Sequence, residues 1–353
     1  GATNTAIGNE SLYSNTTGAE NVAVGADALK ANTTGGGNTA IGMFALDSNT
    51  TADNNSAFGN GVLAANTTGT SNTAVGKNAL EANTTANNNT AVGKNALGAN
   101  TTGANNVAVG QEALAANTTA GNNTAVGRVA LDANTTGTAN VAVGTNALGT
   151  STTASENTAV GNAALFATTT GADNVGIGAS ALDSTTTGGE NTAIGHQAGH
   201  NLTTGVNNTL LGHEAGTDAV ANVVASNGNI VIGNNYSASA KIKIDWTVTS
   251  DLRDKTEIES VPHGLNFVNQ ITPIKYRFKT SRENDTPNGV TRYGFKAQEI
   301  LALEGENPVL VDNGDTDNLK LTGAYLLPVL VNAIKELKAE NDSLKTRIEN
   351  LEG

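Results

Sequence analysis

The chain has 353 residues, a net charge of −13, five prolines and no cysteine. The lack of cysteine excludes disulfides and thiolate metal sites, and the negative charge argues against binding to nucleic acid phosphates. We therefore predict no nucleic acid partner. Because no stretch approaches the roughly 18 apolar residues of a membrane-spanning helix, we also predict no membrane partner.

Glycine recurs every 17 residues over the first two thirds of the chain. The thirteen glycines that mark the period are Gly8, Gly25, Gly42, Gly59, Gly76, Gly93, Gly110, Gly127, Gly144, Gly161, Gly178, Gly195 and Gly212. A strict period is typical of a solenoid, in which each unit stacks on its neighbours. We therefore predict a mainly β fold in which residues 1–228 form a parallel β-solenoid or β-roll of 17-residue coils. Because the chain begins inside a repeat, we also expect it to be part of a longer protein.

Each period contains a short segment that predicts a strand, such as Asn72-Thr-Ala-Val-Gly76, because an apolar run lies between turn formers. Side chains alternate along a strand, so Thr73 and Val75 share one face and Ala74 lies on the other. We predict that the valine face packs inside the coil, against the leucine that follows each marker glycine by four residues. The small alanine and glycine face is then predicted to contact other chains around an axis.

A threonine pair follows in each coil, from Thr16-Thr17 to Thr203-Thr204. We predict a turn closed by side-chain hydrogen bonds that repeat along the solenoid. A threonine array that binds ice is the alternative, although adjacent threonines point to opposite faces of a strand. Asn15-Thr-Thr17 and its copies also match the glycosylation sequon, which an enforced repeat generates freely.

His196 and His213 are one period apart, so we expect their side chains to stack in neighbouring coils. They are the weak candidates for a metal site, but we predict a surface ladder, and hence neither a metal nor a cofactor. The period then loosens, because the segment that ends at Gly233 comes 21 residues after the segment before it. We predict transition strands over residues 229–249.

The Asn-x-Ala-Val-Gly units resemble the head repeats of trimeric autotransporter adhesins and the shafts of bacteriophage tail fibres. In those families such coils build parallel β-rolls or β-helices that assemble as trimers. The resemblance therefore implies that the partner of this chain is itself, as a homotrimer.

Four motifs occur in order after residue 245: Thr249-Ser-Asp-Leu-Arg-Asp-Lys255, Pro273-Ile-Lys-Tyr276, Gly294-Phe-Lys-Ala-Gln-Glu299 and a closing helix from Ala333 onward. They resemble the intramolecular chaperone domain of phage tailspikes and endosialidases, the peptidase S74 family. The resemblance implies a small α+β chaperone domain over residues 250–353.

The same resemblance implies that the domain releases itself by self-cleavage between Thr249 and Ser250. Ser250 would be the nucleophile and Lys255 the general base, since a serine hydroxyl is weak until a base takes its proton. Lysine can act in this way only in its neutral form, which burial favours. The reaction is a single turnover without a diffusing substrate. Asp254 departs from the family, which usually has an apolar residue beside the lysine.

A heptad pattern closes the chain. Leucine or isoleucine fills positions a and d, apart from Asn341 at one a position; the apolar members are Leu327, Leu330, Ile334, Leu337, Leu344, Ile348 and Leu351. The pattern predicts a coiled coil over residues 326–352, in which Asn341 sets the register and Pro328 lies near the helix start. These residues do not decide between dimer and trimer, and the family resemblance favours the trimer.

These features predict a structural fibre shaft of a virion tail, with a C-terminal chaperone for trimer assembly and a host-surface receptor as a further partner. Identical coils can slip by one period at little energetic cost, so the chaperone would set the register. The alternative is a bacterial surface adhesin stalk with a trimerisation head that does not cleave, and an ice-binding solenoid is less favoured. A carbohydrate-cleaving enzyme is disfavoured because no close carboxylate pair is evident.

Overall fold

The computed structural model describes residues 1–217, 221–234, 237, 250–279, 282, 284–314, 316–317 and 319–352. The chain divides into two compact units, residues 1–236 and 237–353. Of the predicted transition strands, a strand over Ile230–Ile232 is present, and residues 235–236 and 238–249 lie outside the described part of the chain.

The first unit is a parallel β-solenoid. Its described strands are β1 Thr5–Ile7, β2 Val22–Val24, β3 Thr39–Ile41, β4 Ser56–Phe58, β5 Thr73–Val75, β6 Thr90–Val92, β7 Val107–Val109, β8 Thr124–Val126, β9 Val141–Val143, β10 Thr158–Val160, β11 Val175–Ile177, β12 Thr192–Ile194, β13 Thr209–Leu211 and β14 Ile230–Ile232. Each strand pairs with the next in chain order. Partners are 17 residues apart along the solenoid, as in Ala74 with Ala91, and 21 apart in the last pair. The predicted mainly β fold is confirmed.

Alanine and leucine fill the narrow interior of each coil. In the coil that begins at β5, Ala74, Ala79 and Leu80 are fully buried, and their counterparts in the other coils join them in one continuous core. Burial of a leucine side chain contributes about 1.5–3 kcal/mol. Eleven coils carry the leucine that follows the marker glycine by four residues. Its predicted burial is confirmed in ten of them, whereas Leu12 in the first coil is only partly buried.

The strand faces are the reverse of the sequence prediction. Ala74 at the strand centre is fully buried, whereas Thr73 and Val75 are exposed. The prediction that the valine face packs inside the coil is therefore wrong. The reason is space, because Leu80 and Ala79 already occupy the interior and leave room for only a methyl group at the strand centre.

The marker glycine is required by the stacking of coils within one chain. Gly76 has a φ of +121°, which L side chains rarely adopt, and a Cβ there would lie 2.7 Å from the carbonyl carbon of Gly93. The predicted contact of an alanine and glycine face with other chains is therefore also wrong. The glycine packs against the next coil of its own chain, and the alanine lies inside.

Two columns of asparagine run through the interior and were not predicted. In the first column, Asn21 Oδ1 accepts the backbone N–H of Asn38 at 2.9 Å. In the second, Asn49 Nδ2 donates to Asn32 Oδ1 at 2.9 Å and to the Ala52 carbonyl at 3.1 Å. Buried polar groups require such partners. The second column contains the sequon asparagines, whose side chains are fully buried from Asn32 to Asn134.

The threonine pair closes the turn as predicted. Thr33 Oγ1 donates to the carbonyl of Thr50 in the next coil at 3.0 Å, and this bond recurs along the solenoid. The second threonine of the pair, such as Thr34, is exposed. Only one threonine of each pair therefore takes part in the ladder.

The second unit contains two short antiparallel sheets and a long terminal helix. Its helices are α1 Leu265–Val268, α2 Ala297–Glu304 and α3 Leu326–Glu352, with 3₁₀ turns at Leu252–Asp254 and Gly323–Tyr325; its strands are β15 Ile274–Lys279, β16 Pro287–Gly294, β17 Val311–Asp312 and β18 Lys320–Leu321. β15 pairs with β16, and β17 with β18. A small core joins the elements; its buried members are Phe267, Ile300, Leu310, Val311, Leu326 and Val329.

Candidate functional site

A short turn brings the predicted nucleophile and base together. Ser250 precedes the 3₁₀ turn Leu252–Asp254, and Lys255 follows it. The Lys255 backbone N–H donates to the Leu252 carbonyl at 3.2 Å, which closes the turn. Lys255 Nζ then donates to Ser250 Oγ at 2.8 Å. A hydroxyl and an amine at this distance can exchange a proton directly.

Asp251 and Arg253 hold opposite charges inside the turn. Asp251 Oδ1 accepts the backbone N–H of Arg253 at 2.9 Å, and Asp251 Oδ2 lies 2.5 Å from Arg253 Nη2. The side-chain hydrogen bond to Arg253 lowers the pKa of the Asp251 carboxyl and raises the pKa of the guanidinium. Asp251 therefore remains a carboxylate at neutral pH.

The environment of the pair is open to solvent in the single chain. Ser250 and Lys255 are both exposed, and the 3₁₀ turn contains no buried residue. Among the described residues, no ion pair joins Asp254 to Lys255. Thr249, whose carbonyl the serine would attack, lies outside the described residues.

Two of the other predicted motifs form one hairpin and the helix after it. The segment 273–276 leads into β15, in which Tyr276 pairs with Arg292 of β16. β16 ends at Gly294, where a Cβ would lie 3.0 Å from Tyr276 Cε1. The chain then enters α2 at Ala297, so glycine allows the tyrosine ring to cover the junction.

The terminal helix is tied to the domain through its first turns. Glu336 Oε2 accepts the backbone N–H of Leu265 at 2.6 Å, at the start of α1, and Asn332 Nδ2 donates to the His263 carbonyl at 3.0 Å. A Cβ on Gly264 would collide with the Glu336 carboxylate. The α3 face that carries Leu326, Val329 and Ala333 is buried, so the domain packs against one side of the helix.

The heptad side of α3 faces solvent. All seven apolar side chains at positions a and d are between 41% and 86% exposed, and we refer to them as the helix stripe: Leu327, Leu330, Ile334, Leu337, Leu344, Ile348 and Leu351. Pro328 lies in the first turn, where its missing N–H removes no intrahelical hydrogen bond. The helix stripe thus lies mostly outside the face that packs on the domain, although Leu327 and Leu330 line a cavity with Val268, Ile271 and Phe295.

A second exposed apolar row runs along the solenoid at the last position of each strand. Side chains of this row, the solenoid stripe, are between 36% and 44% exposed at Ile41, Phe58, Val75, Val92, Val143, Ile177, Ile194 and Leu211. Val24, Val109, Val126 and Val160 continue the row with intermediate exposure. Aligned apolar side chains on an outer face are typical of an interaction surface.

The two histidines of the solenoid stack on each other. The ring centroids of His196 and His213 are 5.1 Å apart, and the ring planes differ by 20°. His213 Nδ1 also lies 3.5 Å from Glu214 Oε2. No group of three or more histidine, aspartate or glutamate side chains suited to a metal ion occurs within the described residues.

The described part of the chain also contains no helix with the length and apolar content needed to cross a membrane. The fold and site together define a β-solenoid followed by a small α+β unit that contains a serine and a lysine in hydrogen-bond contact.

Comparison with known families finds a match within the second unit. The model of the Peptidase_S74 family, described as chaperone of endosialidase, matches residues 250–309. The match begins at Ser250 and includes the β15–β16 hairpin and α2. No curated protein and no solved structure matches the chain. The match indicates an intramolecular chaperone domain and suggests a role in trimer assembly.

Proposed function

We propose that the chain is the trimeric shaft of a bacteriophage tail fibre, whose C-terminal domain assembles the trimer and then cuts itself off before Ser250. Its partners are two further copies of the chain and a host-surface receptor. The observation that carries this proposal is the 2.8 Å contact from Lys255 Nζ to Ser250 Oγ, at the first residue of the segment that matches the chaperone family.

The two apolar stripes support the assembly of several copies. The helix stripe follows a heptad period, which is the pattern by which α-helices form coiled coils. The solenoid stripe lies on the outer face of the strands, where its exposure favours burial against another copy. Each stripe gives the chain a surface that self-association would remove from water.

The chemistry of release needs only the chain itself and one water molecule. Lys255 Nζ takes the hydroxyl proton of Ser250 while Oγ attacks the Thr249 carbonyl carbon. The Thr249–Ser250 amide bond breaks as the Ser250 nitrogen accepts the proton, which leaves an ester on Oγ. Water then hydrolyses the ester and yields a Thr249 carboxylate and a free Ser250 hydroxyl and amine.

We expect assembly to trigger cleavage, because Ser250 and Lys255 are exposed in the single chain. A lysine works as a general base only when its amine is neutral, and removal from water favours the neutral form. Because Ser250 and Lys255 are exposed in the single chain, burial of the turn by neighbouring copies would activate the pair. Cleavage would then follow assembly and make it difficult to reverse, so that the stability of the shaft is kinetic.

The first prediction concerns Ser250→Ala. We expect the wild-type chain to separate into two fragments on a denaturing gel and in mass spectrometry, with the larger fragment ending at Thr249. Ser250→Ala and Lys255→Met should stay intact because they lack the nucleophile or the base. Ser260→Ala, which changes an exposed serine in the same segment, serves as the control and should cleave normally.

An intact wild-type trimer would contradict self-cleavage and favour the adhesin stalk with a trimerisation head that does not cleave. In that protein the stripes would still bring three chains together at a bacterial surface. A monomer in light scattering would contradict both functions.

Ice binding is a second candidate because the second threonine of each pair is exposed, as at Thr34, Thr68 and Thr102. These side chains repeat once per coil, at the strand spacing of about 4.8 Å. The test is thermal hysteresis of the purified chain, and a freezing point equal to the melting point would remove this candidate.

A further inference from the structure

We infer that Asp251 is a positioning residue that holds the turn in which Lys255 reaches Ser250. The inference rests on the proposed self-cleavage and adds a role to a residue beside the two reacting side chains. Within the described residues, the Asp251 carboxylate accepts no hydrogen bond from Ser250 Oγ or Lys255 Nζ. It therefore acts through the backbone of the turn.

Chain geometry shows why the turn is needed. Five residue steps of extended chain span about 17 Å, which is beyond the reach of a lysine side chain. The 2.8 Å contact between Lys255 Nζ and Ser250 Oγ exists because the 3₁₀ turn folds the chain back on itself. Any loosening of the turn separates base and nucleophile.

The turn lacks the usual sources of stability. Its own backbone bonds, from Asp254 N–H to the Asp251 carbonyl and from Lys255 N–H to the Leu252 carbonyl, are both 3.2 Å long. Leu252 is exposed, so no apolar contact in the described structure anchors the turn. Short 3₁₀ segments also have poorer hydrogen-bond geometry than α-helices.

The Asp251 side chain adds the hydrogen bonds that stabilise the turn. It accepts the Arg253 backbone N–H at 2.9 Å in the manner of a helix N-cap. The same carboxylate also binds the Arg253 side chain through Nε at 3.1 Å and Nη2 at 2.5 Å. The Asp251 carboxylate thus stabilises the start of the turn through both the backbone and the side chain of Arg253.

The test compares self-cleavage rates of three variants of the full chain. Asp251→Ala removes the cap, and we expect cleavage to slow about tenfold, roughly the rate equivalent of losing one capping interaction. Asp251→Asn keeps an oxygen that can accept the Arg253 N–H and should stay within about threefold of wild type, because asparagine caps as well as aspartate. Asp254→Ala, in the same turn, is the matched control and should cleave at the wild-type rate.

The pH profile separates positioning from direct participation. Substitution of a positioning residue lowers the plateau of the cleavage rate and leaves the midpoint of its pH profile unchanged. If Asp251→Asn and Asp251→Ala slow cleavage equally and shift the midpoint of the pH profile, the Asp251 charge acts directly on the reacting groups. That result would overturn the inference. A wild-type rate in Asp251→Ala would overturn it as well.

A second measurement is independent of cleavage. The chain has no cysteine, so Ser250→Cys with Lys255→Cys creates a single pair whose disulfide formation reports the proximity of the two positions. We expect Asp251→Ala to slow that reaction at least threefold and Asp251→Asn to leave it nearly unchanged. Equal rates in all three backgrounds would contradict the positioning role. If the wild-type chain stays uncleaved but this dependence is found, self-cleavage fails while the positioning role stands.

Discussion

At the residue scale, the buried asparagine columns show how a narrow solenoid satisfies its polar groups. Each carboxamide has both a donor and an acceptor, so one side-chain type can bond to the coil before it and to a nearby carbonyl. The second column ends after Asn134, where the following coils carry Ser151 and Thr168. Asn134 Oδ1, Ser151 Oγ and Thr168 Oγ1 are buried without a hydrogen-bond partner in the described structure.

Ser151→Asn is predicted to extend the column by one coil. The new Nδ2 can donate to Asn134 Oδ1, as Asn134 Nδ2 does to Asn117 Oδ1 at 2.9 Å. We expect the free energy of unfolding to rise by about 1 kcal/mol, the value of a typical buried hydrogen bond. Urea denaturation measures the change, with the exposed Ser14→Asn as the control. An equal or lower stability of Ser151→Asn would show that the site lacks room for the amide.

At the element scale, each coil holds a leucine in an unfavourable backbone conformation. The eleven leucines after the marker glycines have φ between 51° and 54°. The left-handed region costs an L residue about 1–2 kcal/mol, and burial of the leucine side chain is worth about 1.5–3 kcal/mol. A single coil therefore gains little until a second coil covers it, so the first coils form slowly. This barrier gives a physical reason for a domain that starts assembly.

The terminal helix is the second element with a testable property. Asn341 is the polar residue at position a among the exposed heptad side chains of α3. A buried asparagine at this position sets the register of a coiled coil at a cost in stability. It should therefore limit the number of ways in which the helices associate.

Asn341→Ile is predicted to strengthen helix association and to reduce its uniqueness. An isoleucine buried in the seam contributes about 1.5–3 kcal/mol per chain, so the proposed trimer should dissociate at a higher denaturant concentration. Sedimentation in the Ser250→Ala background, which keeps the chain whole, should also detect additional oligomers. Ser343→Ala, at position c, is the control. If the chain is a monomer and is still a monomer after Asn341→Ile, the predicted coiled coil is contradicted.

At the scale of the whole molecule, a regular ladder raises the problem of register between chains. Every coil offers nearly the same outward face, with valine or isoleucine at the end of most strands. A slip of one coil therefore changes few contacts. The C-terminal unit has no such repeat, and this difference supports its proposed role in alignment.

Aspartate in place of Val75 and Val92 is predicted to prevent association along the solenoid. Both side chains belong to the solenoid stripe, and burying unpaired charges against another copy is costly. We expect the trimer fraction in light scattering to fall at least tenfold. Aspartate in place of Thr85 and Thr102, which lie in the same coils but outside the stripe, should leave assembly unchanged. Equal trimer fractions in the two double variants would show that the stripe is not the interface.

The 17-residue glycine period by itself determined the positions of the strands, their pairing partners and the leucine core. These features are local or nearest-neighbour properties, since each coil contacts only the coils beside it. The heptad period likewise predicted the terminal helix, whose stripe is exposed as a coiled-coil seam would be in a single chain. The family resemblance predicted that Ser250 and Lys255 act together. Their separation of five residues did not predict the backbone path that brings the two side chains into contact.

Only the tertiary structure decided which strand face points inward. Both faces of Thr73-Ala74-Val75 carry apolar or small side chains, so alternation alone does not choose between them, and the closed coil admits alanine because Leu80 takes the remaining space. The buried asparagine columns and the 3₁₀ turn depend in the same way on partners brought together by folding. A periodic sequence specifies spacing, whereas the width of the coil and the path of a turn are set by how the side chains fill the space between them.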